Sequence, residues 1–437
     1  MRSLALPAVL MAMTMALPAV AQKNAPRHSP QATATEARAA QLSQAEAAMD
    51  HEQWPDAEAI LRKLTAANNK DTQAWFDLGY TMHAQGNYSE AIAAYRAAVL
   101  SQPQSFECNL NLGLMLAHEH RAEAVTVLEN TVLLKPTGEH PQQALARAWS
   151  ALAEVREPDA KAVLAARSRA AELDASLPNL LALSVAFERV GDAAAAEQEA
   201  RKAASLAPGA PEPQAVLANL YMRAKRLPEA EAALRKVLAA RPNDEDAHFQ
   251  LGRVLSAEEK YEDATPELQK ALALRGSDWE AVRELAFVCA QRKKWPEAEA
   301  QYRALTAQFP GDAEAHDGLG AALMAQLKYA EARDEFILAL QRKPAAGDTW
   351  GRLAMALAGN QQYEAAIKAM DERHKYLVET PSTYFLRATY YDHLRQYPEA
   401  VQNYKAFLAI SNGQFPDEEW KARHRLIAIE PEARKKK

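Results

Sequence analysis

Apolar residues recur along this chain in two nested rhythms. In residues 245–278, Leu251 and Leu255 share one face of a helical pattern, the polar run Glu258-Glu259-Lys260 interrupts it, and Ala264, Leu268 and Ala271 form a second face. The spacing predicts two helices joined by a short turn. That arrangement returns every 34 residues: Ala196, Ala230, Ala264, Ala298, Ala332, Ala366 and Ala400 stand one period apart. Leu227, Tyr261, Trp295, Tyr329, Tyr363 and Tyr397 precede the last six by three positions, and Leu234, Leu268, Tyr302, Phe336, Met370 and Tyr404 follow them by four.

The first helix of each unit keeps step as well. Leu183, Leu217, Leu251, Leu285, Leu319 and Leu353 are each followed by a small residue, namely Ser184, Ala218, Gly252, Ala286, Gly320 and Ala354. Small residues at both helices allow close approach, and the aromatics fill the space around those contacts. Asp244, Asp278 and Asp312 fall where first helices begin and can accept hydrogen bonds from free backbone amides. Pro208, Pro242, Pro310 and Pro344 close the units, with Gly276 in the slot between.

Composition agrees with an all-helical chain. Of 437 residues 15 are glycine and 7% are aromatic, and alanine makes up roughly a fifth, a balance that disfavours strands and tight hairpins. With 49% hydrophobic and 25% charged residues the chain has apolar material to bury. Its formal charge of −6 offers no broad attraction for nucleic acid.

The unit resembles the tetratricopeptide repeat (TPR). Residues 72–105 carry Trp75, Leu78, Gly79, Met82, Ala91, Tyr95, Ala98 and Pro103 in the family's key slots. Residues 106–138 keep Leu112, Gly113, Ala124, Leu128 and Pro136 with a turn one residue short, and 38–71 keep the second half through Trp54, Ala57, Leu61 and Leu64. From Ala124 to Ala196 the register slips by four residues, so a degenerate unit is expected at 139–176 with Ala160 and Leu164 marking its second helix. The resemblance implies an all-α, right-handed superhelical solenoid of about eleven TPR hairpins: N-terminal units over 36–138, the degenerate unit, and C-terminal units over 177–414. A capping helix is expected at 415–430, with Trp420, Ile427 and Ile429 covering the last repeat, then a basic tail at 431–437.

The other end reads as a leader. Met1-Arg2, the apolar run from Leu4 to Val20 and Ala19-Val20-Ala21 before Gln22 have the arrangement of a secretory signal peptide over 1–21. Residues 22–35, rich in Pro, Ala, Thr and Ser, are expected to form a flexible linker. The protein is therefore expected to be exported, periplasmic or secreted after cleavage following Ala21, with membrane contact confined to an uncleaved leader or the basic tail.

Signatures of chemistry are missing. GxxxxGK[ST], GxGxxG after a strand, HExxH and GxSxG do not occur, so no catalytic residue, cofactor or metal site is expected. His118-Glu119-His120 reads as an exposed turn, since residues two apart on a helix point about 200° apart. Cys108 and Cys289 read as small structural hydrophobes five units apart that form no disulfide. Glu212, Asp246, Glu280, Glu314 and Asp348 repeat at the 34-residue step. They could form a stripe for cations or a basic peptide, or could simply complement the helix dipole of each first turn.

By resemblance to the family, partners lie in a concave groove lined by positions two, five, nine and twelve of each unit. These give Phe76 and Tyr80 in one unit, Leu110 and Leu114 in the next, and Phe249, Arg253, Arg283 and Phe287 on two adjacent first helices. Two aromatics beside two guanidiniums would suit an extended peptide bearing a carboxylate. Alternatively, the arginines neutralise Asp246, Glu280 and Glu284. The family's clamp for chaperone C-termini is not completed: Asn111 matches one slot, while Phe76 and Tyr80 replace its Lys and Asn. The expected function is a non-catalytic scaffold for a protein or peptide partner in cell-envelope assembly or maintenance. The alternative is an accessory to polysaccharide binding or export.

Overall fold

The computed structural model describes residues 30–276 and 278–435. Residues 1–29, and with them the expected leader, lie outside the described residues, as does most of the expected linker. The described part of that linker enters a helix at Pro30. Every regular element among the described residues is a helix, and none is long and apolar enough to cross a membrane.

The chain divides into two compact units, one ending at Leu220 and the other beginning at Tyr221. The first contains α1 (Pro30–Asp50), α2 (Trp54–Ala67), α3 (Thr72–Ala84), α4 (Tyr88–Ser101), α5 (Phe106–His118), α6 (Ala124–Thr131), α7 (Pro141–Val155), α8 (Ala160–Leu173), α9 (Leu177–Arg189) and α10 (Ala193–Leu206). Consecutive helices pack in pairs, and each pair packs on the next. Helix α11 (Pro211–Arg223) runs across the division.

The second unit continues with α12 (Leu227–Ala240), α13 (Glu245–Ala257), α14 (Tyr261–Leu274), α15 (Trp279–Gln291), α16 (Trp295–Gln308), α17 (Ala313–Ala325), α18 (Tyr329–Arg342), α19 (Gly347–Gly359), α20 (Tyr363–His374), α21 (Pro381–His393) and α22 (Tyr397–Ile410). Here α13–α22 form five such hairpins, and α23 (Pro416–Lys435) closes the unit against α22.

The periodic alanines lie inside the core. Ala196, Ala230, Ala264, Ala298, Ala332, Ala366 and Ala400 are all fully buried. The small residue of the first helix faces the bulky residue of the second: a Cβ added to Gly79 would stand 2.7 Å from Tyr95, one on Gly252 2.6 Å from Leu268, and one on Gly320 2.7 Å from Phe336. In these hairpins the spacing of the two helices therefore depends on one missing methyl group. In the hairpin of α15 and α16, Ala286 takes that glycine's place, and the Tyr302 ring runs instead over Gly318 of the following helix.

Caps and turns follow the same register. Asp244 accepts from the Ala247 amide, Asp278 from Glu280 and Ala281, and Asp312 from Glu314 and Ala315, at 3.0–3.2 Å. From α11 onward each first helix ends in a left-handed residue one period from the last, at Lys225, Glu259, Lys293, Leu327, Gln361 and Arg395. In each case the next amide reaches back five residues, as Lys260 N–H to Leu255 O at 2.8 Å does, the bond that closes a Schellman turn.

Two sequence expectations need correction. In the degenerate unit α8 does begin at Ala160, but the close-packed position belongs to Val163, with Ala166 and Ala170, while Ala160 and Leu164 are half-buried. At the C-terminus α23 turns Glu419, Ala422, Leu426, Ile429 and Ala433 inward. Trp420 and Ile427 each follow an inward residue by one position, about 100° further round the helix, and are 60% and 75% exposed. Of the three expected cover residues, Ile429 performs that role.

Candidate functional site

The candidate site is the face that the first helices leave outside the hairpin contacts. Positions two, five and nine of a first helix share one face because seven residues make nearly two full turns.

In the first unit that face carries Phe76 and Tyr80 on α3. Both are half-buried: Phe76 meets Tyr95 edge to face at 5.7 Å between centroids, and Tyr80 meets Trp54 at 6.1 Å. Beneath them lies Asp77, a buried carboxyl that burial raises to about 7, with Glu46 and Asp71 pushing the same way and Gln73 and Arg38 opposing. On α5, Leu110 is buried and Leu114 half-buried. Asn111 donates to Glu107 O of its own helix at 2.9 Å.

In the second unit the four expected residues separate into different roles. Phe249 is 6% exposed and belongs to the core of α13 rather than to a binding surface. Arg253 is exposed and lies over the Phe249 ring, 5.6 Å from its centroid, with Gln250 Oε1 at 3.5 Å. Arg283 donates to Asp312 at 2.5 Å, which ties α15 to the capped start of α17. Burial works to raise the Asp312 carboxyl. The Arg283 bond and the Ala315 and Glu314 amides outweigh it and leave Asp312 below the usual carboxylate range. Arg283 is therefore a clasp between neighbouring first helices. Phe287 is 42% exposed, with Tyr261 edge-on at 6.3 Å, and is the aromatic this face offers.

The pattern continues beyond the residues singled out from sequence. Position nine of α17 and α19 is Ala321 and Met355, the latter 38% exposed, so Phe287, Ala321 and Met355 form an apolar row on adjacent first helices. The three stand 34 residues apart, at position nine of successive units. Arg352 of α19 makes a paired bond back to Asp317 of α17 at 3.1 and 2.6 Å, a second clasp between neighbouring first helices. At position two Asp246, Glu280, Glu314 and Asp348 are all exposed.

No group of three or more His, Cys, Asp and Glu among the described residues is placed to hold a metal ion. His118 and Glu119 lie 3.3 Å apart at the exposed end of α5, and His120 is the left-handed residue of the turn. His248 and His316 are internal props: each places Nδ1 2.6 Å from a glutamate of its own hairpin, Glu267 or Glu335, and Nε2 near Pro242 O or Pro310 O. Cys108 and Cys289 are buried free thiols, and burial pushes both upward.

Two tetratricopeptide-repeat family models match the sequence, one over residues 42–106 and 84–124, the other over 189–251 and 255–327. The chain belongs to the tetratricopeptide-repeat family. Solved structures with the same repeat include YrrB, described as a TPR protein with an unusual peptide-binding site, at 24% identity and TM-score 0.40, covering 45% of this chain and 97% of that one. A TPR protein from Parabacteroides merdae matches at 17% identity and TM-score 0.41, covering 54% and 93%. The APC/C hetero-tetramer Cut9-Hcn1 matches at 13% identity and TM-score 0.40, covering 86% and 95%. No curated protein matches the chain. TPR proteins bind protein or peptide partners, and this chain is an interaction scaffold of that kind.

Proposed function

We propose that this TPR protein is a non-catalytic scaffold whose first-helix faces hold a protein or peptide partner, and that it does so as an exported protein in cell-envelope assembly or maintenance. The observation that carries the binding reading is the row Phe287, Ala321 and Met355. It exposes apolar surface at a repeated position while the arginines beside it, Arg283 and Arg352, are consumed in clasps that hold the helices in place. A surface whose internal ion pairs are satisfied keeps its shape without a ligand, and preorganisation of that kind favours recognition.

The export reading rests on the leader-like sequence from Met1 to Ala21. Affinity capture from envelope extracts tests binding, comparing the parent with Phe287→Ala/Met355→Ala. Partners retained by the parent and lost by the variant support the reading, whereas an unchanged partner list removes this face from it. N-terminal sequencing of the mature protein from fractionated cells tests export: a start at Gln22 in the envelope fraction supports it, and an intact cytoplasmic chain opposes it.

A further inference from the structure

The apolar row on the second unit has a charged border, and the two together select a class of partner. On α15, α17 and α19, position two lies two helical turns before position nine on the same face. Each apolar residue is thus aligned with an exposed carboxylate: Phe287 with Glu280, Ala321 with Glu314, Met355 with Asp348. On α13 the corresponding pair is Arg253 and Asp246.

Most cations beside this border are already paired within the protein. Arg283 is bound to Asp312 and Arg352 to Asp317, so neither adds net positive charge. Arg275, beside Asp246, is paired with Glu245 at 2.7 Å. Lys343 stands 3.8 Å from Glu314 with both side chains mostly in solvent. Glu284 accepts from Ser256 Oγ at 2.6 Å and adds a further negative charge. Arg253 offsets one carboxylate at the α13 end. The remainder is an apolar row with an acidic edge.

Resting on the scaffold reading above, we propose that this face takes an extended segment of a partner polypeptide that carries lysine or arginine at intervals with apolar side chains between them. Adjacent helices lie roughly 10 Å apart, and a chain in the extended polyproline II conformation advances about 3.1 Å per residue with three residues per turn, so every third residue of such a segment meets the next acidic edge position from the same side. The cations meet Glu280, Glu314 and Asp348, and the apolar side chains lie on Phe287 and Met355. This reverses the carboxylate-bearing peptide expected from Arg253 and Arg283, because one of those guanidiniums is already bound within the protein.

Fluorescence anisotropy with two labelled peptides tests the assignment, one repeating Lys-Leu-Ser and the other Glu-Leu-Ser. The full chain binds the lysine peptide, binding weakens as salt rises, and Glu280→Lys/Glu314→Lys weakens it roughly tenfold or more. Glu280→Gln/Glu314→Gln, which leaves the helix starts less disturbed, weakens it by a smaller factor. Glu262→Lys/Asp263→Lys, on the exposed start of α14, leaves binding unchanged and so separates this face from general negative charge. Binding of the glutamate peptide in preference, no binding of the lysine peptide, or equal loss in the α14 variant overturns the cationic assignment. None of those outcomes touches the scaffold reading, which the Phe287→Ala/Met355→Ala capture decides by itself.

Discussion

Gln73 donates through Nε2 to both carboxylate oxygens of Asp77 at 3.1 Å each, one turn along α3. This amide is the hydrogen-bond donor Asp77 receives, while burial and the nearby Glu46 and Asp71 raise the carboxyl from 3.8 to about 7. The folded protein thus keeps a proton on Asp77 that the unfolded chain loses near pH 4. The stabilising contribution is complete below pH 4 and is lost as pH rises to 7, where the carboxylate must be buried charged. A shift of about three units corresponds to about 4 kcal/mol at most. Asp77→Asn should therefore gain stability over the parent at pH 8 and little at pH 4, read as the difference in urea midpoints across that range. A difference that does not vary with pH would contradict the buried acid.

The glycine contacts lead to a second expectation. Gly320→Leu forces its side chain into Phe336 and should cost roughly 1–3 kcal/mol through overpacking, whereas Gly311→Ala, with nothing within 4 Å of the added Cβ, should be near neutral. Gly318→Ala should also be costly, since its Cβ would stand 2.4 Å from the Tyr302 ring. Urea denaturation of the three variants decides it.

How far the sequence disclosed this molecule depends on how each position is constrained. The alanines at 34-residue steps were legible because close helix approach tolerates no larger side chain, so the constraint appears as residue identity. Val163 was not, because the four-residue slip before Ala196 moved the register and valine is not a marker of close packing. The apolarity of Trp420 and Ile427 predicts an inward position, although the phase set by Ala422, Leu426 and Ile429 turns them out. On the binding face, composition could not separate Phe249 from Phe287: positions five and nine share a face, and only the packing around each leaves Phe249 buried and Phe287 exposed. The clasp of Arg283 on Asp312 joins residues 29 apart and is a tertiary fact.

The left-handed turn illustrates a constraint hidden from residue identity. Its conformation recurs at Gly86, Gly191, Glu259, Leu327 and Arg395, yet glycine occupies it in few units. The bonds that close the turn, such as Lys328 N–H to Leu323 O at 3.0 Å, impose the conformation whichever residue is present. A side chain there costs about 1 kcal/mol in strain. Leu327→Gly, at an exposed position, should therefore raise stability by up to about 1 kcal/mol, and Gly86→Ala should lower it by a similar amount. Thermal melts of both variants check the pair, and a destabilised Leu327→Gly would show that the leucine packs in solution.

The joint between α20 and α21 departs from the repeat in a way that can be measured. Where earlier first helices carry Leu285, Leu319 and Leu353, α21 carries Arg387, and its partner is Glu379, whose side chain is 8% exposed. Arg387 Nη2 donates to Glu379 at 3.0 Å and its Nη1 lies 3.2 Å from Asp371, while Nε has no partner. Arg373 Nη1 lies 3.8 Å from the other Glu379 oxygen. Glu379→Ala removes the buried carboxylate that two largely buried guanidiniums share, leaving Arg387 only the exposed Asp371, and should cost about 3–5 kcal/mol. Arg387→Leu removes the unsatisfied Nε and restores the apolar residue, and Glu379 keeps Arg373 and the nearby His374. It should be much milder. Hydrogen exchange of the α21 and α22 amides reads the difference locally: faster exchange in Glu379→Ala than in Arg387→Leu is expected, and the reverse order would show that the arginine, rather than the carboxylate it meets, holds the last hairpin in place.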